Sequence, residues 1–250
     1  MTAAGASAED ALTSGHPACR PARARLGAIC LAVAMMSPAA AASAQTAEDV
    51  QVWTSVVTTG AVHETWRVHS ELHARWVDDA RHYQRTVLRL MGGRILNPHV
   101  TAWFGFEQTW PFADRTAEET RIWQQVIYVQ PAGRWSLSHR GRLEERFVEG
   151  ADGMVPRLRY SLRATRLLSS EGRWALIAGG EVFFQLRDGR LNGRLYPAGF
   201  DRNRVLAGIS RRLSPNVTVE PSYTLQFINS PDGIPNRREH LLQVQVVHRF

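Results

Sequence analysis

The chemistry in this sequence lies in rows of arginine and glutamate set two residues apart. In "RGRLEERF", Arg140, Arg142, Glu144 and Arg146 share one parity, and Leu143 and Phe147 take the other. In "RLRYSLR", Arg157, Arg159 and Arg163 oppose Leu158, Tyr160 and Leu162. "WRVHSELHAR" groups Arg67, His69, Glu71, His73 and Arg75. A spacing of two places side chains on one face of an extended strand, so each row reads as a charged face. Arg85, Arg89, Arg202 and Arg204 extend the set, with Glu107, Glu181 and Glu220 as further carboxylates.

Guanidinium forks pair with carboxylates at short range, and unpaired cations are costly to bury. Two readings follow. The rows form a cross-linked ladder filling a narrow lumen, or they line a wet passage whose surplus positive potential favours anions. The first two rows are joined by one loop, so they are expected to face each other. Glu144 and Glu181 are the nearest carboxylates by sequence.

Other chemistries fare worse. His69, Glu71 and His73 alternate and could chelate a metal, but nothing fixes a further ligand and flanking Arg67 and Arg75 repel a cation. No metal or cofactor is expected. A hydrolase wants serine, histidine and an orienting group in reach. His139 falls on the apolar parity without a serine partner, and there is no G-x-S-x-G. The expectation is therefore no enzyme; an outer-membrane enzyme acting on lipid or lipopolysaccharide is the alternative.

The elements that position these rows are strands. From Val50 onward the apolar period is two. Strands are expected near 50–59, 65–77, 83–96, 100–110, 119–130, 135–147, 157–168, 174–187, 202–213, 217–228 and 240–250. Most are about ten residues long, which suits a tilted bilayer crossing better than the five or six of a soluble sheet. From residue 97, tight turns such as "QPAGRW" and "LSPNVT" alternate with long polar loops such as "VEGADGMVP" and "RDGRLNGRLYPAG". Trp66, Trp76, Trp110, Trp135 and Trp174 cluster near strand ends, as in an interfacial girdle. The fold class is all-β: an antiparallel transmembrane β-barrel of about 10–12 strands in meander order. A bacterial barrel with both ends in the periplasm wants an even count. Residues 50–59 are then expected to lie outside the barrel, or one connection to hide a twelfth strand.

Bulk properties agree. The chain has 250 residues, 44% hydrophobic, and no apolar run long enough for a spanning helix. Net charge is +7 and all 30 basic residues are arginine. The stretch "RPARARLGAICLAVAMMSPAAAASAQ" has the basic, apolar and small-residue zones of a cleavable secretory signal. Residues 1–44 are read as the N-terminal region with that signal, and 45–250 as the barrel. Cys19 and Cys30 fall in the removed part, so no disulfide or thiolate site is expected. Export through the periplasm to the outer membrane excludes nucleic acid as a partner. It leaves outer-membrane lipid and lipopolysaccharide.

The last row, "HLLQVQVVHRF", alternates to its final Phe250. An alternating last strand with a terminal aromatic resembles the C-terminal signal of bacterial outer-membrane proteins. Phe250 is accordingly expected to be an assembly signal read by the barrel assembly machinery. The last strand is expected to pair with the first, leaving no open edge.

The ordered set "ETRIWQQ", "RGRLEERF", "RLRYSLR", "GEVFF" and "FDRNRVLAGISRRLSPNVTVEPSYTLQF" resembles the DUF2490 family of uncharacterised bacterial proteins, over about residues 50 to 250. That resemblance implies an outer-membrane β-barrel. It brings no catalytic residues.

Overall fold

The computed structural model describes residues 46–112, 117–231 and 233–250; the stretch read as a secretory signal and both cysteines lie outside them. The strands run β1 (Thr46–Ala61), β2 (Trp66–Val77), β3 (His82–Asn97), β4 (Val100–Pro111), β5 (Glu119–Ala132) and β6 (Trp135–Val148). Then follow β7 (Val155–Leu167), β8 (Trp174–Gln185), β9 (Gly189–Leu191), β10 (Arg194–Tyr196), β11 (Gly199–Ser214), β12 (Val217–Ile228) and β13 (Asn236–Arg249). All but β9 and β10 close into one barrel; those two form a small hairpin within the loop between β8 and β11.

Each sequential pair in the barrel is antiparallel, but closure is not. β1 pairs with β13 in parallel, from Thr46↔Asn236 to Thr59↔Arg249. The expected even count is therefore corrected to eleven. Residues 50–59 belong to the first barrel strand, and the long connection hides a hairpin rather than a twelfth strand. An odd meander brings its first and last strands together pointing the same way. A parallel ladder still satisfies both edges, and that is what a bilayer demands.

One end of the barrel carries the tight turns at 98–99, 133–134 and 215–216; the other carries the loops at 112–118, 149–154, 186–198 and 229–235. The odd count puts Phe250 at the tight-turn end and Thr46 at the opposite one. Phe250 N donates to the Thr59 carbonyl at 3.2 Å. A Cβ on Gly60 would stand 2.5 Å from the Phe250 carbonyl, so glycine permits this close seam.

The faces are inverted relative to a soluble barrel. Every barrel strand presents an exposed apolar residue outward: Val56, Leu72, Leu90, Phe104, Val126, Leu143, Leu158, Leu176, Val205, Tyr223 and Leu242. Soluble monomers rarely expose so continuous an apolar surface. Near the tight turns, three cross-strand pairs stack guanidinium on indole: Arg94 on Trp66, Arg166 on Trp135 and Arg211 on Trp174, at 5.8, 5.4 and 4.9 Å. Near the loops, Tyr83 lies 5.4 Å from both Trp76 and Phe112. Along β3, Tyr83 and Arg94 are separated by eleven residues, or about 28 Å at about 3.3 Å each and a tilt of about 40°. An apolar band of about 25 Å fits between such girdles.

Candidate site in the barrel interior

The inward parity carries the charged rows, and strand register turns them into two networks. In the first, cross-strand partners of opposite sign alternate around the wall: Glu71↔Arg89, Arg89↔Glu107 and Glu107↔Arg121. Arg89 Nη1 meets Glu71 Oε2 at 2.7 Å, and its Nε pairs with Glu107. Arg121 Nη1 lies 2.8 Å from Glu107 Oε1, and Glu119 takes both Arg121 and Arg146, at 2.5 and 2.6 Å. Glu71 also bonds His69 and His73 at 2.9 and 2.7 Å. Both of its oxygens are thus engaged by nitrogen, and among the described residues no His, Cys, Asp or Glu group is placed to hold a metal ion.

The second network centres on Glu144, which has no solvent exposure. The rows on β6 and β7 face each other, with Arg142↔Arg159 and Glu144↔Arg157 in register. Glu144 Oε2 lies 2.6 Å from Arg157, Oε1 lies 2.5 Å from Arg159, and Arg142 is 3.5 Å away. Glu181 Oε1 joins Arg159 and Arg140 at 2.7 and 2.8 Å, and its Oε2 lies 3.5 Å from Arg204. Carboxylates thus sit between the arginine rows of β6 and β7, which would otherwise repel.

Some contacts cross the barrel. Arg163 on β7 reaches Glu220 on β12 at 2.8 Å, skipping two strands. Arg204 on β11 lies 5.3 Å over the ring of Trp53 on β1. Arg142 stacks on Trp123 at 4.5 Å, and Arg159 and Arg204 both lie on Phe183, at 4.5 and 4.9 Å. Aromatic faces carry these cations. Trp123, Phe183, Leu241, Glu107, Glu144 and Gln226, all in the loop-facing halves of their strands, form a belt, each under 2% exposed. The contacts of Arg163 with Glu220 and of Arg204 with Trp53 bridge the lumen between non-adjacent strands.

Above this belt, toward the long loops, lies a cavity of about 480 Å³. Trp53, Arg89, Arg159 and Phe183 line its inner part. The β9–β10 hairpin lies at its mouth, held where Gln185 Nε2 donates to the Tyr196 carbonyl at 2.7 Å. Eleven arginines and three carboxylates contribute to its lining among the described residues.

Of the residues expected from sequence, Arg67 stands apart at the tight-turn rim, donating to the His63 and Trp66 carbonyls at 3.2 and 3.1 Å. Arg75 faces the cavity and stacks on Trp53 at 3.9 Å. His139 points outward, bonded to Tyr160 at 2.8 Å. Sequence reasoning missed Glu119, Arg121 and Trp123, although "ETRIWQQ" carries the same alternation as the rows it used. It also missed Asp201, 3.4 Å from Arg157, because a register shift between Phe200 and Arg202 breaks the parity there.

The chain was compared with known proteins. A family profile described as "Protein of unknown function (DUF2490)" matches residues 50–238. An uncharacterized protein of Methylorubrum extorquens is 26% identical over 238 residues, covering 92% of this chain and 99% of that protein. Among solved structures, the KdgM porin matches with a TM-score of 0.40 at 10% identity, over 68% of this chain and 80% of its own. A loop L8 deletion mutant of OmpT, an outer membrane protein of Vibrio cholerae, matches with a TM-score of 0.38 at 14% identity, over 66% and 57% respectively.

Proposed function

The chain belongs to the family of proteins of unknown function DUF2490, and from that premise we propose an outer-membrane β-barrel of passive, binding or structural role. Its interior is closed below the cavity by the arginine–carboxylate network and the contacts that bridge the lumen. Its cavity opens toward the long loops, on the cell exterior, and the tight turns face the periplasm. The observation that carries the membrane placement is the inverted polarity. Apolar residues from all eleven strands lie outward and the charged rows inward. The two girdles and the three Arg–Trp pairs support it, since such side chains favour the interface.

The reading has no catalytic step. The inward carboxylates Glu71, Glu107, Glu119, Glu144, Glu181 and Glu220 are each engaged by a guanidinium, which leaves none as a free base. In the cavity arginines outnumber carboxylates, which supports a preference for anions there.

Placement is testable because the only cysteines are Cys19 and Cys30. Leu195→Cys in the β9–β10 hairpin should react with a membrane-impermeant maleimide on intact cells. Asn216→Cys in a tight turn should react only after the outer membrane is permeabilised. Equal labelling of both on intact cells, or recovery of the protein in the soluble fraction, would refute the placement.

A further inference from the structure

Most interior arginines have a carboxylate; Arg75 and Arg85 do not. They are register partners on β2 and β3, both lining the cavity, and neither forms an ion pair among the described residues. Like charges directly opposite on a sheet repel. The strand pattern does nothing to relieve this. The register shift next to Arg75 instead brings Gln84 to the cavity beside Arg85. Gln84 Oε1 accepts from Arg85 Nε at 2.8 Å, so its amide nitrogen remains as a donor. Bulges often re-aim side chains beside functional sites.

The unused groups at this corner are all donors. Arg75 Nε is buried with no hydrogen-bond partner. Its guanidinium carbon lies over Trp53, 3.9 Å from the ring centroid. Trp53 is itself fixed, its Nε1 donating to Gln51 Oε1 at 2.9 Å. A buried, oriented donor without an acceptor carries the full cost of its desolvation. Arg75 and its register partner Arg85, lining a cavity of about 480 Å³, form a positive recess with room for a ligand.

We infer that Arg75 and Arg85 hold a phosphate-class dianion in the cavity, with Gln84 as an auxiliary donor. Charge selects the class. Two uncompensated guanidiniums match a phosphate or phosphate monoester, which carries about −1.5 to −2 at neutral pH. A monocarboxylate would leave one cation unanswered. Guanidinium forks also suit tetrahedral oxyanions bidentately. The inference rests on the proposed opening of the cavity toward the long loops.

The test is isothermal titration calorimetry on folded, detergent-solubilised protein at constant ionic strength, with inorganic phosphate, glycerol 3-phosphate and acetate as probes. Phosphate should bind one to one and at least roughly tenfold more tightly than acetate. Arg75→Gln and Arg85→Gln should each weaken phosphate at least roughly tenfold, whereas Arg81→Gln in the 78–81 turn should not. Glycerol 3-phosphate binding as well would indicate a monoester ligand; inorganic phosphate alone would indicate the free anion. Either supports the site.

A second reading separates binding from folding. In phosphate-free chloride, Arg85→Gln should melt no lower than the parent, because a repulsion is removed. It should lack the rise in melting temperature that phosphate gives the parent. No phosphate binding by the parent, acetate binding as tight as phosphate, or equal phosphate stabilisation of parent and Arg85→Gln would overturn the inference. If phosphate binding fails while Leu195→Cys is still labelled from outside, the site fails and the placement stands. If labelling fails while phosphate binds, the placement fails and the site stands.

Discussion

Glu144→Gln should destabilise the barrel by about 3–5 kcal/mol, the usual cost of removing one partner from a buried ion pair. Glu144 is the shared anion of Arg157, Arg159 and, at 3.5 Å, Arg142, and it is wholly enclosed. Glutamine has nearly the same shape but turns an N–H toward guanidiniums that are donors only. The neighbouring Glu145 is the control. It faces outward, its carboxylate 3.4 Å from Gln124, and Glu145→Gln should shift stability by less than about 1 kcal/mol. Denaturant midpoints in detergent, read by heat-modifiable gel mobility, distinguish the two. If Glu144→Gln matches the Glu145 control, the network does not hold the barrel together. Adding Arg157→Gln to Glu144→Gln should restore part of the loss, because one stranded cation is removed.

Trp123→Ala should have a comparable effect by a different route. Trp123 has no exposure, packs against Gly105 of the neighbouring strand and carries the Arg142 guanidinium at 4.5 Å. Truncating a buried tryptophan typically costs about 3–5 kcal/mol through lost contacts and residual cavity. Here the void also opens beside Arg142, inviting water into the belt. Trp123→Phe should recover most of the loss, since it keeps a ring beneath the cation. A Trp123→Ala barrel as stable as the parent would mean that the belt is not packed as described.

How much of this was legible in the sequence follows from what a period of two encodes. All eleven barrel strands were legible, with edges off by at most four residues, because each strand carries its own alternation. The identity of the two faces was legible too: Arg140, Arg142, Glu144 and Arg146 share one parity in any extended conformation. The direction of closure was not. Alternation says nothing about whether β1 and β13 run parallel, and a residue count gives no register between the chain's two ends. Bulges were equally silent, so Gln84 and Asp201 were missed where the parity slips. Nor could a single strand's pattern reveal contacts across the lumen. That Arg163 meets Glu220, or that Arg204 lies over Trp53, depends on barrel diameter and side-chain reach. Two lumen readings were therefore open from sequence, and the contacts that bridge the lumen favour the ladder over the passage.

The measurement that bears most directly on that closed interior is conductance in planar bilayers. Parent protein, inserted and confirmed folded, should give no sustained current steps in concentrated potassium chloride, while Trp123→Ala with Phe183→Ala should give steps that prefer chloride over potassium. Stable, anion-preferring open steps from the parent would contradict the closed belt and restore the wet passage.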